Sequence, residues 1–275
     1  MKLKYKSGNT PLIKIDSLCE RFNLDNILIK DESKNPFGTF KDRISEFIIK
    51  KAIDKHIGKL AIITAGNAGY SLSKFAEGTN IKVVCLIDKS FRNSTKKKLQ
   101  EVTYKLIEVD LSKNILKPEQ VISLARENDE EVIWDVTNGY HEVYESIIQE
   151  IKKENPDYVI IPVGSGEGLV GLYSGINKYK LKTKLIGVGV KQKWYSYADK
   201  LWTPWTPYKS KIEAIVKEGH QYIELDEDEI KRTYEGFKGA IDCEPSSAVV
   251  FAALSKIKFN KKDKIILINT GKGII

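Results

Sequence analysis

Short apolar runs that alternate with helical patterns are the feature that most constrains the fold of this chain. The runs are rich in β-branched residues and have the length of buried strands. They lie at residues 27–30, 60–64, 83–87, 104–109, 158–163, 184–190 and 264–269. The helical patterns lie at residues 39–55, 68–77, 92–102, 118–128, 141–153, 169–179, 227–238 and 246–256. This alternation predicts an α/β protein with parallel sheets covered by helices on both faces, and ligands at the carboxyl ends of the strands.

Composition and charge exclude several classes of protein. Of the 275 residues, 41% are apolar and 30% are charged, which suits a globular chain with a sizeable core. No apolar run approaches the roughly 20 residues that cross a bilayer, and the N-terminus carries no apolar block of a signal peptide. The net charge of +8 comes from lysines spread along the chain without a nucleic-acid-binding motif. Three distant cysteines favour neither disulfides nor zinc, so we expect a cytoplasmic protein with no metal, nucleic acid or membrane as a partner.

The first of four polar turns places a lysine at the start of a helix. The sequence IKDESKNPFGTFKDR, residues 29–43, passes from a strand through Pro36 and Gly38 into a helix that opens near Thr39. Lys41 would lie in the first helical turn, where the helix dipole disfavours a positive charge. A less protonated lysine is the kind that attacks carbonyl carbons and forms Schiff bases. On this stretch alone, a solvated surface lysine is the alternative.

Two glycine-rich turns follow later strands. Residues 64–71, TAGNAGYS, let a ligand approach the backbone, and the helix N–H groups there favour an anion. Residues 164–168, GSGEG, open a helix at Leu169 and are typical of a backbone cradle for phosphate. They match neither a Walker loop nor the complete Rossmann spacing. Plain structural turns are the alternative in both places, and Glu167 should point away from a bound phosphate.

A fourth turn, NTGKG at residues 269–273, brings a hydroxyl to the end of the last strand, where it would sit under a flat ligand. Taken in order, the turns resemble those of the fold-type II pyridoxal-phosphate enzymes, and most closely those of threonine synthase and threonine dehydratase. The match covers nearly the whole chain. It rests on SGNTPL, KDE, NPFGTFKDR, AGNAGYS, VGSGEG, EPSSA and TGKG, at residues 7–12, 30–32, 35–43, 65–71, 163–168, 244–248 and 270–273.

The resemblance implies a role for each residue of the turns. Lys41 would form the internal aldimine with pyridoxal 5'-phosphate and later move the α-proton of the substrate. Asn67 would lie beside the phenolic oxygen of the cofactor, and Thr270 would face its pyridine nitrogen. The substrate carboxylate would be held by Thr64, Ala65, Gly66, Asn67 and Ala68. The cofactor phosphate would be held by Gly164, Ser165, Gly166, Glu167 and Gly168.

The same resemblance implies a two-domain architecture and a class of reaction. A smaller, mobile domain, residues 41–138, would be inserted in a larger one formed by residues 1–40 and 139–275, each with a twisted, parallel-rich sheet flanked by helices. The enzyme would be a threonine synthase-like carbon–oxygen lyase or synthase that eliminates or replaces a side-chain group of a small amino acid. That amino acid could carry an O-phosphate group or lack one. A serine/threonine dehydratase is the alternative. Dimers are common in the family, so we expect a homodimer, and the short ends predict a compact member.

Three departures from the family pattern leave the substrate open. Ala65 replaces a serine or threonine, Gly239 replaces a frequent glutamate, and Glu167 replaces a glycine or another small residue. A cofactor-binding pseudoenzyme without turnover would explain these departures. The presence of the lysine, the asparagine and the threonine of the turns argues against it.

An aromatic stretch at residues 191–208, KQKWYSYADKLWTPWTPY, takes no part in these roles. It follows a strand and contains Pro204 and Pro207, so we expect a loop or short irregular helices. It could form a lid or wall over the substrate or a dimer contact, or its aromatic rings could complete the local core. Lys191 and Lys193 are candidates for meeting an anionic group of the substrate.

Overall fold

The chain divides into two compact units in the computed structural model, which describes residues 3–112, 115–191, 195–203, 206–239 and 241–274. The small unit contains residues 3–7, 35–139 and 274 within these ranges, and the large unit contains residues 8–34 and 140–273. The sequence places the first domain boundary at Lys41 and assigns the N-terminal residues to the larger domain. The predicted domain division, with its mobile smaller domain, stays a prediction.

Strands and helices alternate along the described residues. The strands are β1 (Leu12–Lys14), β2 (Asn26–Asp31), β3 (Lys59–Ile63), β4 (Lys82–Asp88), β5 (Lys105–Val109), β6 (Ile133–Asp135), β7 (Tyr158–Pro162), β8 (Lys184–Val190), β9 (Gln221–Leu225) and β10 (Lys264–Asn269). The helices are α1 (Asp16–Phe22), α2 (Lys41–Asp54), α3 (Asn67–Ala76), α4 (Asn93–Gln100), α5 (Pro118–Ala125), α6 (Glu145–Ile151), α7 (Glu167–Lys178), α8 (Lys209–Lys217), α9 (Glu227–Phe237), α10 (Pro245–Ala248) and α11 (Ala253–Lys256). Short 3-10 turns cover Glu32–Lys34, His141–Tyr144, Lys152–Glu154 and Val249–Ala252. Within the described ranges, no helix combines the length and the apolar content needed to cross a membrane.

The sheet of the large unit has the strand order β1-β2-β10-β7-β8-β9. Its pairs are parallel except β1–β2, which is antiparallel. Ile29, Ile160 and Leu267 on its inner strands are fully buried and belong to one core with Phe251, which lies in the last 3-10 turn. Because β2, β10 and β7 are parallel neighbours, their carboxyl ends lie at the same edge of the sheet.

The sheet of the small unit has the strand order β5-β4-β3-β6, with every pair parallel. Ala61 and Val84 on its central strands pack with Val121 of α5. These strands are nearly continuous apolar runs, because a parallel sheet with helices on both faces exposes neither face. The turn at residues 64–71 follows the carboxyl end of β3. The predicted α/β class, with parallel-rich sheets flanked by helices, is therefore confirmed.

The sequence prediction misses three strands and two helices of the described chain. β1 and β6 have three residues each, which is too short for an apolar run to stand out. β9 is an edge strand with the sequence QYIEL, so polar residues interrupt its apolar pattern. α1 and α8 are short and bury few side chains. The predicted helix at residues 246–256 consists of α10, a 3-10 turn and α11 in succession.

Candidate functional site

Lys41 is the first residue of α2 in the small unit. The N–H of Phe37 donates to Asp42 Oδ2 at 2.6 Å, and the N–H of Lys41 donates to Thr39 Oγ1 at 3.2 Å. Thr39 and Asp42 are buried, so these two side chains fix the turn before the helix without help from solvent. Lys41 itself is half-buried, and its Nζ lies 5.0 Å from the centroid of the Phe40 ring. The helix therefore begins two residues after the predicted start.

The turn at residues 64–71 is organised by the side chain of Thr64. Its Oγ1 accepts hydrogen bonds from the N–H groups of Gly66 and Gly69, both at 3.0 Å. The hydroxyl proton of Thr64 meets no acceptor among the described residues, so it can donate to a carboxylate ligand. A Cβ on Gly69 would lie 2.7 Å from Cys85 Sγ and 2.7 Å from Thr64 Cγ2. Gly69 is therefore required for close packing inside this turn.

Lys41 and Asn67 lie at the starts of two helices that are joined by a buried pair of hydroxyls. Ser71 Oγ of α3 donates to Ser45 Oγ of α2 at 2.7 Å. Both serines are at most 3% exposed, so water does not compete for this hydrogen bond. The predicted residues for the substrate carboxylate share the small unit with Lys41; they are Thr64, Ala65, Gly66, Asn67 and Ala68.

The glycine loop, residues 164–168, connects β7 to α7 in the large unit. Gly166 has a φ of +91°, which side-chain-bearing residues rarely adopt, and α7 begins directly after it. The N–H groups of Ser165, Gly166 and Gly168 donate to no acceptor in the described part of the chain. Three such N–H groups at the positive end of a 12-residue helix can donate to an anion. The glycine loop therefore fits a phosphate group.

Glu167 is buried in the first turn of α7, which starts two residues earlier than predicted. Its Oε1 accepts hydrogen bonds from the N–H of Tyr140 at 2.9 Å and from the hydroxyl of Tyr208 at 3.2 Å. These donors offset the cost of burying the carboxylate. Burial, and secondly the charge of Lys211, lowers the pKa of His141, whose ring packs edge-on against Tyr208. The imidazole is therefore neutral at neutral pH and does not compensate the charge of Glu167. The expectation that Glu167 points away from a bound phosphate stays a prediction.

The described part of the aromatic stretch packs directly against the glycine loop. A Cβ on Gly164 would lie 3.1 Å from the carbonyl oxygen of Lys200. The hydroxyl of Thr206 donates to the carbonyl oxygen of Ser165. Tyr208, which is only 5% exposed, completes this packing and binds the carboxylate described above. These contacts favour the local-core interpretation for Tyr208, and Tyr197 packs against the core of the large unit, whereas Tyr195 is exposed.

Of the two lysines expected to meet an anionic group of the substrate, the structure describes Lys191. Residues 192–194 and 204–205 lie outside the described residues, and Lys193 is among them. Lys191 Nζ lies 3.9 Å from Asp226 Oδ2, and both side chains are exposed. A cleft of about 410 Å³ beside this pair is lined by Lys191, Asp226, Glu227 and Asp228. Its three carboxylates disfavour an anionic substrate group at Lys191.

Thr270 directly follows β10 and is held by a buried serine of α10. Its Oγ1 lies 2.6 Å from Ser247 Oγ, and the same serine oxygen accepts the N–H of Gly271 at 2.9 Å. One residue earlier, Asn269 Nδ2 donates to Asp31 Oδ1 at the end of β2, at 2.8 Å. Because β10 lies between β2 and β7, the Thr270 hydroxyl and the glycine loop follow neighbouring parallel strands. The structure thus brings these two predicted site elements to one edge of the large sheet.

Two thiols lie close to these turns, and neither is a good nucleophile. Burial raises the pKa of Cys85 to about 11 and the pKa of Cys243 to about 12. Both thiols are therefore protonated at neutral pH, and the thiolate is the reactive form. No group of three potential metal-ligating side chains comes together within the described ranges. The amine of Lys41 is the better candidate for covalent chemistry.

Sequence reasoning missed the residues that support the predicted site. Tyr208 reaches Glu167 across 41 positions of the chain, and Ser247 reaches Thr270 across 23 positions. No local pattern reveals such contacts, because the fold creates them. Ser247 did carry a signal, since it lies in the EPSSA motif, but the sequence alone gave that motif no role.

Comparison with known proteins finds a family model and relatives that match most of the chain. The family model described as "Pyridoxal-phosphate dependent enzyme" matches residues 3–271. The threonine synthase of Methanosarcina acetivorans is 24% identical over 64% of this chain and 44% of its own length. The threonine synthase of Methanocaldococcus jannaschii is 22% identical over 97% of this chain and 75% of its own length. Among solved structures, the O-acetylserine dependent cystathionine beta-synthase from Helicobacter pylori has a TM-score of 0.80 at 17% identity, covering 98% of this chain and 96% of that chain. At this identity the likeness shows the fold alone.

Proposed function

Since this chain belongs to the family of pyridoxal-phosphate-dependent enzymes, we propose that it is a threonine synthase-like lyase or synthase that acts on a small amino acid. Its cofactor is pyridoxal 5'-phosphate. The enzyme eliminates or replaces a group on the substrate side chain, and an O-phosphate is the leaving group that this proposal favours. The likeness to the threonine synthase of Methanocaldococcus jannaschii, over 97% of this chain and 75% of that protein, supports this choice among the reactions of the family.

One observation carries the proposal. The N–H groups of the glycine loop that meet no acceptor among the described residues, and the hydroxyl of Thr270, follow neighbouring parallel strands of the large sheet. Neighbouring strands are about 4.8 Å apart, so the two groups can reach one small molecule. Pyridoxal phosphate carries an anionic phosphate and a ring nitrogen that accepts a hydrogen bond, and these need the two kinds of donor found here. The residues present therefore fit the cofactor.

In the large unit, the chain holds the two polar ends of the cofactor. The N–H groups of Ser165, Gly166 and Gly168 bind the phosphate at the start of α7. Glu167, held by the two tyrosine donors, keeps the first turn of that helix in place. Thr270 meets the ring nitrogen with a neutral hydroxyl, which does not favour a protonated ring as a carboxylate would.

In the small unit, the chain supplies the covalent anchor and the substrate contacts. When bound, the cofactor withdraws electrons from the α-carbon of the substrate and makes its C–H acidic. Lys41 would hold the cofactor through Nζ, and once the amino group of the substrate has displaced Nζ, the released amine would take the proton from the α-carbon. Asn67 orients the ring beside its phenolic oxygen, and Thr64 donates its hydroxyl proton to the substrate carboxylate. The backbone N–H groups of Ala65 and Ala68 complete the carboxylate site, and Gly66, whose own N–H is held by Thr64 Oγ1, shapes the turn around it.

A small panel of amino acids tests the reaction. The cofactor-loaded chain is incubated with O-phosphohomoserine, O-phosphoserine, serine and threonine, and the release of phosphate, ammonia and 2-oxoacid is measured. We expect phosphate release from an O-phosphorylated substrate, and no product from a Lys41→Ala control. Ammonia and 2-oxoacid from serine or threonine would instead identify a dehydratase, the alternative that uses the same residues. A cofactor-loaded chain that turns over none of these compounds would reject the proposal in favour of a pseudoenzyme.

The proposal includes a homodimer located in the cytoplasm, as the resemblance to the family implies. Aromatic residues are enriched at protein interfaces, and Tyr195 in the aromatic stretch is 82% exposed. Analytical ultracentrifugation of the cofactor-loaded chain tests the assembly. A single species at the mass of one chain would contradict this part of the proposal.

A further inference from the structure

Ser247 and Thr270 form a buried pair of hydroxyls in the large unit. Their Oγ atoms are 2.6 Å apart, and the distance alone allows either of them to be the donor. Ser247 is 1% exposed and Thr270 is 6% exposed, so water does not compete for the proton between them. The roles proposed above include no task for Ser247.

The other hydrogen bond of Ser247 decides the direction of the pair. Its Oγ already accepts the N–H of Gly271, which can only donate. Among the described residues, Thr270 Oγ1 is the only acceptor for the hydroxyl proton of Ser247. If Thr270 donated to Ser247 instead, the serine proton would be buried there without an acceptor, which is unfavourable. Ser247 is therefore the donor, and the hydroxyl proton of Thr270 is left for another acceptor.

We propose that Ser247 is a positioning residue that fixes Thr270 as a hydrogen-bond donor toward the ring nitrogen of pyridoxal phosphate. This inference deepens the proposed function and rests on its assignment of Thr270. A donor stabilises the unprotonated ring nitrogen, whereas a protonated ring nitrogen would need an acceptor. The N–H of Gly271 strengthens the hydrogen bond that Ser247 donates to Thr270, because consecutive hydrogen bonds polarise one another. Ser247 thus controls the protonation of the ring without touching it.

Equilibrium binding of two cofactors measures whether Thr270 forms a hydrogen bond with the ring nitrogen. Pyridoxal phosphate accepts a hydrogen bond at its ring nitrogen, and the deaza analogue, with a C–H at that position, cannot. We expect the unsubstituted chain to bind pyridoxal phosphate about 10-fold more tightly than the analogue, the ratio given by one good hydrogen bond. Ser247→Ala should reduce this preference to about 3-fold, and Thr270→Val should abolish it.

Ser246→Ala is the matched control for Ser247→Ala. Ser246 is the neighbour in α10, is 2% exposed, and accepts a hydrogen bond from the N–H of Lys200. Its truncation therefore removes a buried hydroxyl of the same helix without changing the pair at Thr270. We expect this variant to keep the 10-fold preference of the unsubstituted chain.

Nitrogen NMR of cofactor labelled at the ring nitrogen gives a second readout, independent of turnover. We expect the chemical shift of an unprotonated nitrogen in the unsubstituted chain and in Ser246→Ala, and a shift toward the protonated value in Ser247→Ala. A protonated nitrogen in the unsubstituted chain would overturn the inference even if Ser247→Ala does not fold. An unchanged preference and an unchanged shift in Ser247→Ala would also overturn it, while the proposed function would stand. A chain that binds neither cofactor would reject the proposed function itself.

Discussion

The two glycine-rich turns are alike in sequence, yet they offer different groups to a ligand. Both follow a parallel strand and open a helix. In the turn at residues 64–71, Thr64 accepts the N–H groups of Gly66 and Gly69. In the glycine loop, three N–H groups have no acceptor within the described residues. The number of glycines therefore does not identify an anion site, whereas the number of N–H groups left free by the protein does.

The glycines themselves are required for different reasons in the two turns. Gly69 has no room for a side chain, because Cys85 and Thr64 occupy the space beside it. Gly166 has a φ of +91°, so its backbone conformation is the main constraint. Substitution of Gly69 should therefore lower the free energy of unfolding, and substitution of Gly166 should lower the affinity for an anion.

The largest effect is expected for Gly166→Ala. A residue with a side chain disfavours a φ of +91°, and the new Cβ would lie 3.2 Å from Tyr208 Cβ, so the glycine loop must shift. The three N–H groups would then no longer be placed for their proposed contact with the phosphate. We expect the affinity for pyridoxal phosphate to fall about 100-fold. This corresponds to the loss of two hydrogen bonds to a charged group, each taken at the low end of the usual range of energies. Fluorescence titration of the apo chain measures it, and a change of less than about 3-fold would contradict the assignment.

Gly69→Ala should instead destabilise the small unit by about 2 kcal/mol, as overpacking of a close-packed site does. The two close contacts of the new Cβ are with Cys85 Sγ and Thr64 Cγ2, each at 2.7 Å. Chemical denaturation measures the loss, and the affinity of the folded chain for inorganic phosphate should not change. In a chain that also carries Thr64→Ser and Cys85→Ala, both contacting atoms are absent, so Gly69→Ala should cost much less there. An equal cost in both backgrounds would mean that packing is not the reason for this glycine.

Thr64→Val removes the acceptor of two N–H groups while keeping the shape of the side chain. We expect a loss of about 1.5 kcal/mol in the free energy of unfolding, within the range for buried groups left without a partner. Thr64→Ser, which keeps the hydroxyl, should lose less than half as much. Since the proposed function also gives the Thr64 hydroxyl to the substrate carboxylate, the valine variant should raise KM more than it lowers kcat. Equal stability of the two variants would show that the hydroxyl does not organise the turn.

Glu167→Gln should have the smallest effect, and in the opposite direction. Glutamine keeps an oxygen that accepts from Tyr140 and Tyr208, but the substitution removes a negative charge from the first turn of α7, the helix proposed to bind the phosphate. We expect about 3-fold tighter binding of pyridoxal phosphate at low salt and a smaller gain at high salt, because salt screens the repulsion. Glu145→Gln, in α6, is the control for a general effect of charge. Weaker binding in Glu167→Gln would mean that the carboxylate supports the phosphate site.

The sequence was sufficient to find the turns but not their hydrogen bonds. Alternating apolar runs located the parallel strands, and glycines after two of them located the turns, because both are local features. The side chain of Thr64 closes one turn by accepting two N–H groups. A turn of similar sequence could lack these hydrogen bonds, so the sequence pattern does not predict them. Tyr208 supports the other turn from a segment that is remote in sequence. The family and the fold are confirmed, while the role of each site residue stays a prediction.

Lys41 is the central claim of the proposed function, and a single mapping experiment tests it most directly. The purified chain is loaded with pyridoxal phosphate, reduced with borohydride and digested, and the modified peptide is sequenced by mass spectrometry. The account predicts one phosphopyridoxyl group, on Lys41 at the start of α2. A matched Lys51→Arg chain, changed in the last turn of the same helix, should give the same adduct. An adduct on another lysine, or no adduct in a chain that binds the cofactor, would contradict the account.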